Sequence, residues 1–252
     1  RHLDLLAYHY GLSANQIKQR EYFLRAGIAA QLTCAFDAAA GFFERLLPLL
    51  HRHERSDVLI RYGDAIRLLG RWDAAEAAYD EALELAPDQG VRARAFLALG
   101  ELLLRRGNFN TARERVEQGR ALYQALGDRQ GVGEATQYLG LIAWSQGDLA
   151  GAVADLQAAL ATLPQGDEGP RAVQLINNIG LIYWAQDDLP RTIDCFERAM
   201  RGALAQGNRR VAGIAVGNLG NVYAVRGDYG KALDCYLQKL QAARAISDRL
   251  EI

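Results

Sequence analysis

Cysteine, proline and methionine are all scarce: three, five and one among 252 residues. Cys34, Cys195 and Cys235 build no disulfide framework. They fit a reducing compartment, and the cytoplasm is the expected location. A basic excess is also missing. Lys and Arg number 29 against 30 Asp and Glu, a net charge of −1, which gives no support for a nucleic-acid partner. No apolar run approaches about 18 residues, so no membrane span is expected. No Gly-x-x-x-x-Gly-Lys phosphate loop occurs, and Gly131-Val132-Gly133 stops short of the dinucleotide fingerprint. The four histidines are His2, His9, His51 and His53. On a helix the last two would project about 200° apart, so no metal pair is expected. No Ser/His/Asp set can be argued, and no cofactor is implied. The chain is therefore read as non-enzymatic. What abounds is alanine (42) and leucine (37) in a chain that is 50% hydrophobic. That is too apolar for disorder, and the helix formers predict an all-α fold.

The helices repeat. Gly27, Gly63, Gly100, Gly140, Gly180 and Gly220 each stand in a helical run, all but the first directly after a bulky residue, at spacings of 36, 37, 40, 40 and 40. Twelve residues after each stands a small residue: Ala39, Ala75, Ala112, Ala152, Thr192 and Ala232. Sixteen after come Phe43, Tyr79, Val116, Leu156, Phe196 and Tyr236, and nine after come Phe36, Trp72, Phe109, Leu149, Leu189 and Tyr229. Six helix-interior glycines, each costing about 1 kcal/mol relative to Ala, predict close approach of a neighbouring backbone. The bulky columns are expected to fill the space between hairpins. Gly70, Gly107, Gly147 and Gly227 are expected to end each first helix in a left-handed cap. Asn108, Asp148, Asp188 and Asp228 are expected to cap the next. Pro48 is expected to shorten the second helix of the first repeat, and Pro170 and Pro190 suit helix starts. Cys34 replaces a turn glycine and is read as packing, as are Cys195 and Cys235.

This pattern resembles the tetratricopeptide repeat, a helix–turn–helix unit of 34 residues. The best match is Tyr62-Gly63, Gly70, Trp72, Ala75, Tyr79, Ala82 and Pro87. Val116, Gly119 and Lys239 depart from the pattern. The resemblance implies a right-handed α-solenoid of tandem helix hairpins. The boundaries read as a leading helix at 1–14, repeats at 15–51, 55–87, 88–126, 128–164, 167–206 and 208–246, and the start of a truncated seventh repeat at 247–252. The last rests on Ser247-Asp248-Arg249, which echoes Gly127-Asp128-Arg129 and Gly207-Asn208-Arg209. The natural protein is thus expected to continue. Ser13 and Gln16 suggest a capping box for the helix that leads to Gly27. Leu6-Ala7-Tyr8-His9-Tyr10 and the stretch from Tyr22 to Ala30 resemble the junction between module and repeats in bacterial signalling ATPases, including cyclase-linked ATPases and activators of the maltose-regulator type.

In such a superhelix the first helix of each pair lines the concave face. The exposed columns of repeats two and three offer Asp57, Arg61, Asp64, Arg67, Arg94, Glu101 and Arg105, read as a solvated charged face. Later repeats offer Gln137, Tyr138, Leu141 and Trp144, then Gln174, Asn177, Asn178, Leu181 and Trp184, then Asn218 and Asn221. These are the candidate partner-binding residues. Asn178 and Asn218 share one column, where amides can hold a peptide unit without reading its side chain. The alternative for them is a local bond to the next hairpin. The alternative for Trp144 and Trp184 is packing. Lys18, Lys231 and Lys239 lie off these columns, so the carboxylate clamp of chaperone-binding relatives is not expected. The leading expectation is a protein-interaction module, the regulatory arm of a larger bacterial signalling protein. The alternatives are self-association into a homo-oligomer and small-ligand sensing as in a transcriptional activator.

Overall fold

The computed structural model describes residues 2–164, 166 and 169–250. Arg1, Asp167, Glu251 and Ile252, boundaries in the reading above, lie outside the described residues. The described chain is all-α and falls into two compact units, Arg1–Asp128 and Arg129–Ile252.

In unit 1, a short helix α1 (His2–Gly11) precedes three hairpins: α2 (Gln16–Leu32) with α3 (Phe36–Leu46), α4 (Arg55–Leu68) with α5 (Trp72–Leu85), and α6 (Gln89–Arg105) with α7 (Phe109–Ala125). Unit 2 holds α8 (Arg129–Ser145) with α9 (Leu149–Ala161), α10 (Pro170–Ala185) with α11 (Leu189–Ala205), and α12 (Arg209–Arg226) with α13 (Tyr229–Leu250). Each unit is a stack of antiparallel tetratricopeptide-type hairpins, the α-solenoid arrangement. Pro48 ends α3 at Leu46 and leaves a 3-10 turn at Leu47–Leu49. Pro170 and Pro190 sit in the first turns of α10 and α11, where a missing N–H costs least.

The glycine column meets the partner helix of its own hairpin. The nearest group to each glycine is the bulky side chain sixteen residues on, and at Gly100 and Gly140 the backbone oxygens of Ala112 and Ala152 also come within 3.3 and 3.2 Å of a would-be Cβ. A Cβ on Gly27 would stand 2.5 Å from the Phe43 ring, and one on Gly63 2.5 Å from Tyr79. Gly180 meets Phe196 at 2.9 Å and Gly220 meets Tyr236 at 2.7 Å. Phe43, Tyr79, Val116, Leu156 and Phe196 are fully buried. The small residue at +12 is buried in every repeat, which lets the two helices close on this seat. The residues at +9, by contrast, are partly exposed.

Other expectations shift by a residue or two. Asn15, not Ser13, caps α2, its side chain accepting from Lys18 N at 3.1 Å. Ser13 instead donates to Tyr10 O and accepts from Asn15 N. Asp148 and Asp188 cap α9 and α11, whereas Asn108 makes no side-chain cap. Cys34 is exposed, not packed, and holds a left-handed φ of 58° at a turn where other repeats place glycine. His51 precedes and His53 lies within the 3-10 turn Arg52–Glu54 rather than an α-helix, and their rings stack in parallel, 5.9 Å apart. Helix α13 runs through Ser247-Asp248-Arg249 to Leu250.

Candidate partner-binding groove

The candidate residues all lie in unit 2, on or beside its first helices α8, α10 and α12. Gly169 and Pro170 start α10, and Asn208 caps α12 by accepting from Val211 N at 3.1 Å. Between α8 and α10 lies an open polar cleft of about 260 Å³, lined by Glu134, Gln137, Tyr138, Arg171 and Gln174. Four residues of the exposed columns, Glu134 and the candidates Gln137, Tyr138 and Gln174, thus meet at one place. Gln137 is buried in its wall and Gln174 is exposed at its edge.

Arg171 was missed by the column reading because it sits nine residues before Gly180, one turn outside the columns considered. Pro170 marks the helix start and so places Arg171 in its first turn. That was the signal available. Its Nη1 donates to the carbonyl of Gln130 at 3.4 Å, while its Nη2 is buried without a hydrogen-bond partner.

The asparagines divide. Asn218 Nδ2 donates to Asn177 Oδ1 at 3.2 Å, a bond between adjacent hairpins. Asn221 Oδ1 accepts from the Tyr236 hydroxyl at 2.9 Å. Asn178, half-buried beside them, forms no side-chain hydrogen bond among the described residues. The tryptophans are half-buried. Trp144 packs against the cluster of Ala152, Leu156, Leu175 and Ile182, and Trp184 and Leu181 pack against Phe196, Leu219 and Val222. Leu141 is half-buried.

The same face of unit 1 holds one local pair of the kind expected, Arg105 on Glu101 at 2.9 Å. Its other ion pairs link successive hairpins. Arg67 Nη1 meets Glu101 Oε1 at 3.0 Å with both side chains mostly buried. Arg94 pairs with Asp57, and Arg106 with Asp73 and Glu76. The Tyr79 hydroxyl donates to Asp64 Oδ1 at 2.8 Å. Burial pushes the Asp64 carboxyl up to about 6, against the opposing pull of the Tyr79 bond and of Arg67.

Among the described residues no group of three or more His, Cys, Asp or Glu could hold a metal ion, and no helix is long and apolar enough to cross a membrane.

The folds of several solved structures match. A structure of BtubC from P. vanneervenii is 21% identical with a TM-score of 0.69, covering 93% of each chain. PH0952 from Pyrococcus horikoshii is described as a signal transduction ATPase with a tetratricopeptide repeat sensor. It is 14% identical with a TM-score of 0.75, covering 99% of this chain and 40% of its own. A Rap protein complexed with competence and sporulation factor is 12% identical with a TM-score of 0.68, covering 94% and 78%. No curated protein sequence matches significantly. A tetratricopeptide repeat family model matches residues 54–125 and 171–245, and a second one matches 97–170. With more than half its length matched, and with hairpins closed on a glycine column, the chain belongs to the tetratricopeptide repeat family.

Proposed function

We propose that this chain is a non-catalytic interaction module, as tetratricopeptide repeats generally mediate protein–protein interaction and are typically non-catalytic. It holds an extended peptide or protein segment on the first-helix face of unit 2. The observation that carries this reading is the convergence of Gln137, Tyr138 and Gln174 on one cleft. Its volume of about 260 Å³ falls below the roughly 300–1,000 Å³ of pockets that enclose a small molecule. It suits one side chain and the main chain beside it. Asn178 has unused donors and an acceptor, and the Asn177–Asn218 pair keeps others, which suit a peptide unit. Leu141, Trp144, Leu181, Trp184 and Asn221 flank this face. The role as regulatory arm of a larger cytoplasmic bacterial signalling protein draws on residues 6–10 and 22–30 and on fold likeness to the PH0952 sensor.

Panning the chain with displayed random peptides tests the reading. Selected peptides are expected to lose roughly tenfold or more in affinity for the Gln174→Ala/Asn178→Ala double variant, and to bind Arg198→Ala, on α11, normally. Absence of any enriched peptide, or indifference to the groove variant, refutes it.

One observation favours self-association as a second reading. Tyr229, Leu233, Tyr236, Leu237 and Leu240 on α13 are 40–74% exposed. The counterparts of Tyr229, Leu233, Tyr236 and Leu240 one hairpin earlier, Leu189, Ile193, Phe196 and Met200, belong to one cluster with Leu219 and Val222. Light scattering over a concentration series decides. A homo-oligomer that Leu233→Glu/Leu237→Glu dissolves is expected, and a strict monomer rules it out.

A further inference from the structure

The groove reading leaves the chemistry of the bound segment unspecified; the inference here rests on that reading and narrows it. Arg171 lines the α8–α10 cleft with its guanidinium half satisfied. Nη1 reaches the Gln130 carbonyl at 3.4 Å, at the long limit of a hydrogen bond, and Nη2 is buried with no acceptor. Among the described residues Arg171 forms no ion pair. Leaving a buried donor unmet costs about 1–3 kcal/mol, more when it is charged. A rotation about the terminal torsions of the side chain would exchange that empty surrounding for an acceptor entering the cleft. A carboxylate is the complement of choice, because it accepts from both arms of the fork and neutralises the charge. The amides of Gln137 and Gln174 remain beside it for the adjoining main chain.

We propose that Arg171 is a specificity-determining residue, which selects segments carrying an acidic side chain at the position that enters the cleft between α8 and α10. The carboxylate belongs to Asp or Glu within an extended segment, not to a free chain terminus.

The test uses random peptides displayed with their C-termini fused, so that no terminal carboxylate is available. Against the wild-type chain the selected peptides are expected to share Asp or Glu at one fixed position. Against Arg171→Gln that preference disappears while the rest of the consensus persists. Synthetic, C-terminally amidated versions of a selected peptide complete a cycle. Changing its acidic residue to the amide is expected to weaken binding to wild type roughly tenfold or more, and to change binding to Arg171→Gln less than about threefold. Arg171→Lys keeps the charge without the fork and is expected to fall between. A consensus without a fixed acid, or an acid preference that survives in Arg171→Gln, overturns this inference and leaves the groove reading standing. No enriched peptide at all overturns both.

Discussion

Two glycines in the first hairpin set up a comparison in which one chemical change has opposite outcomes. In Gly27→Ala, the new methyl carbon would stand 2.5, 2.8 and 2.9 Å from three atoms of the Phe43 ring. Phe43 is wholly buried, so the ring has nowhere to swing. Overpacking of this kind costs about 1–3 kcal/mol. Replacing a helical glycine with alanine returns about 1 kcal/mol, so the net loss is up to about 2 kcal/mol. Gly41, on α3, has no atom within 4 Å of its would-be Cβ. Gly41→Ala collects only the helix term and is expected to stabilise by about 0.5–1 kcal/mol. At roughly 2–4 °C per kcal/mol for a chain of this size, the two variants should melt several degrees to either side of wild type. Thermal denaturation followed by circular dichroism reads this directly. A Gly27→Ala variant that melts at or above wild type would show that Phe43 yields at little cost. The seating of the ring on the glycine would then not be what sets the column.

Three further outcomes follow from the buried polar groups and thiols. The Asp64 carboxyl titrates near 6 in the fold, above its ordinary 3.8, so it stabilises the fold fully below 3.8 and the benefit is lost as pH rises through 6. Relative to Asp64→Asn, the wild-type chain should gain up to about 3 kcal/mol between pH 7 and pH 4, and parallel pH–stability curves for the two would refute it. Glu101→Gln leaves the mostly buried Arg67 unpaired and is expected to cost about 2–3 kcal/mol. An Arg67→Ala/Glu101→Ala cycle should show coupling of roughly 1–3 kcal/mol, and additivity would count against the pair. Cys34 is exposed, whereas Cys195 is buried with its thiol pushed up to about 11. A thiol reagent at pH 8 should therefore modify Cys34 first and Cys195 last, with all three reacting alike once the chain is unfolded.

The sequence made the fold legible because its signals are local. Gly63, Ala75 and Tyr79 recur at fixed offsets, and Pro48 and Pro170 mark helix ends. Spacing alone says where a close approach occurs, not which group makes it. For that reason the glycine column was read as meeting a neighbouring backbone, which holds at Gly100 and Gly140, while the bulky side chain sixteen residues on, the nearer group throughout, was not singled out. The charged face of unit 1 was misread for a related reason. Arg67 and Glu101 are 34 residues apart, so their pairing depends on how hairpins stack and not on one helix surface. Of the candidate site, Gln137, Tyr138 and Gln174 were legible because they follow the columns. Arg171 was not, since its place in the cleft comes from where α10 begins.

Seating each ring on the glycine of its own hairpin has a practical corollary for cutting and joining this chain. The lock closes within one hairpin. The segments around 47–54, 86–88 and 162–169, which join one hairpin to the next, are therefore splice points. Cutting or inserting there uncovers an apolar face but leaves every ring on its glycine. A join made inside a hairpin, at 33–35 or 186–188, separates a ring from its seat. Hairpins of this protein are modular parts, with the seams between them rather than within them.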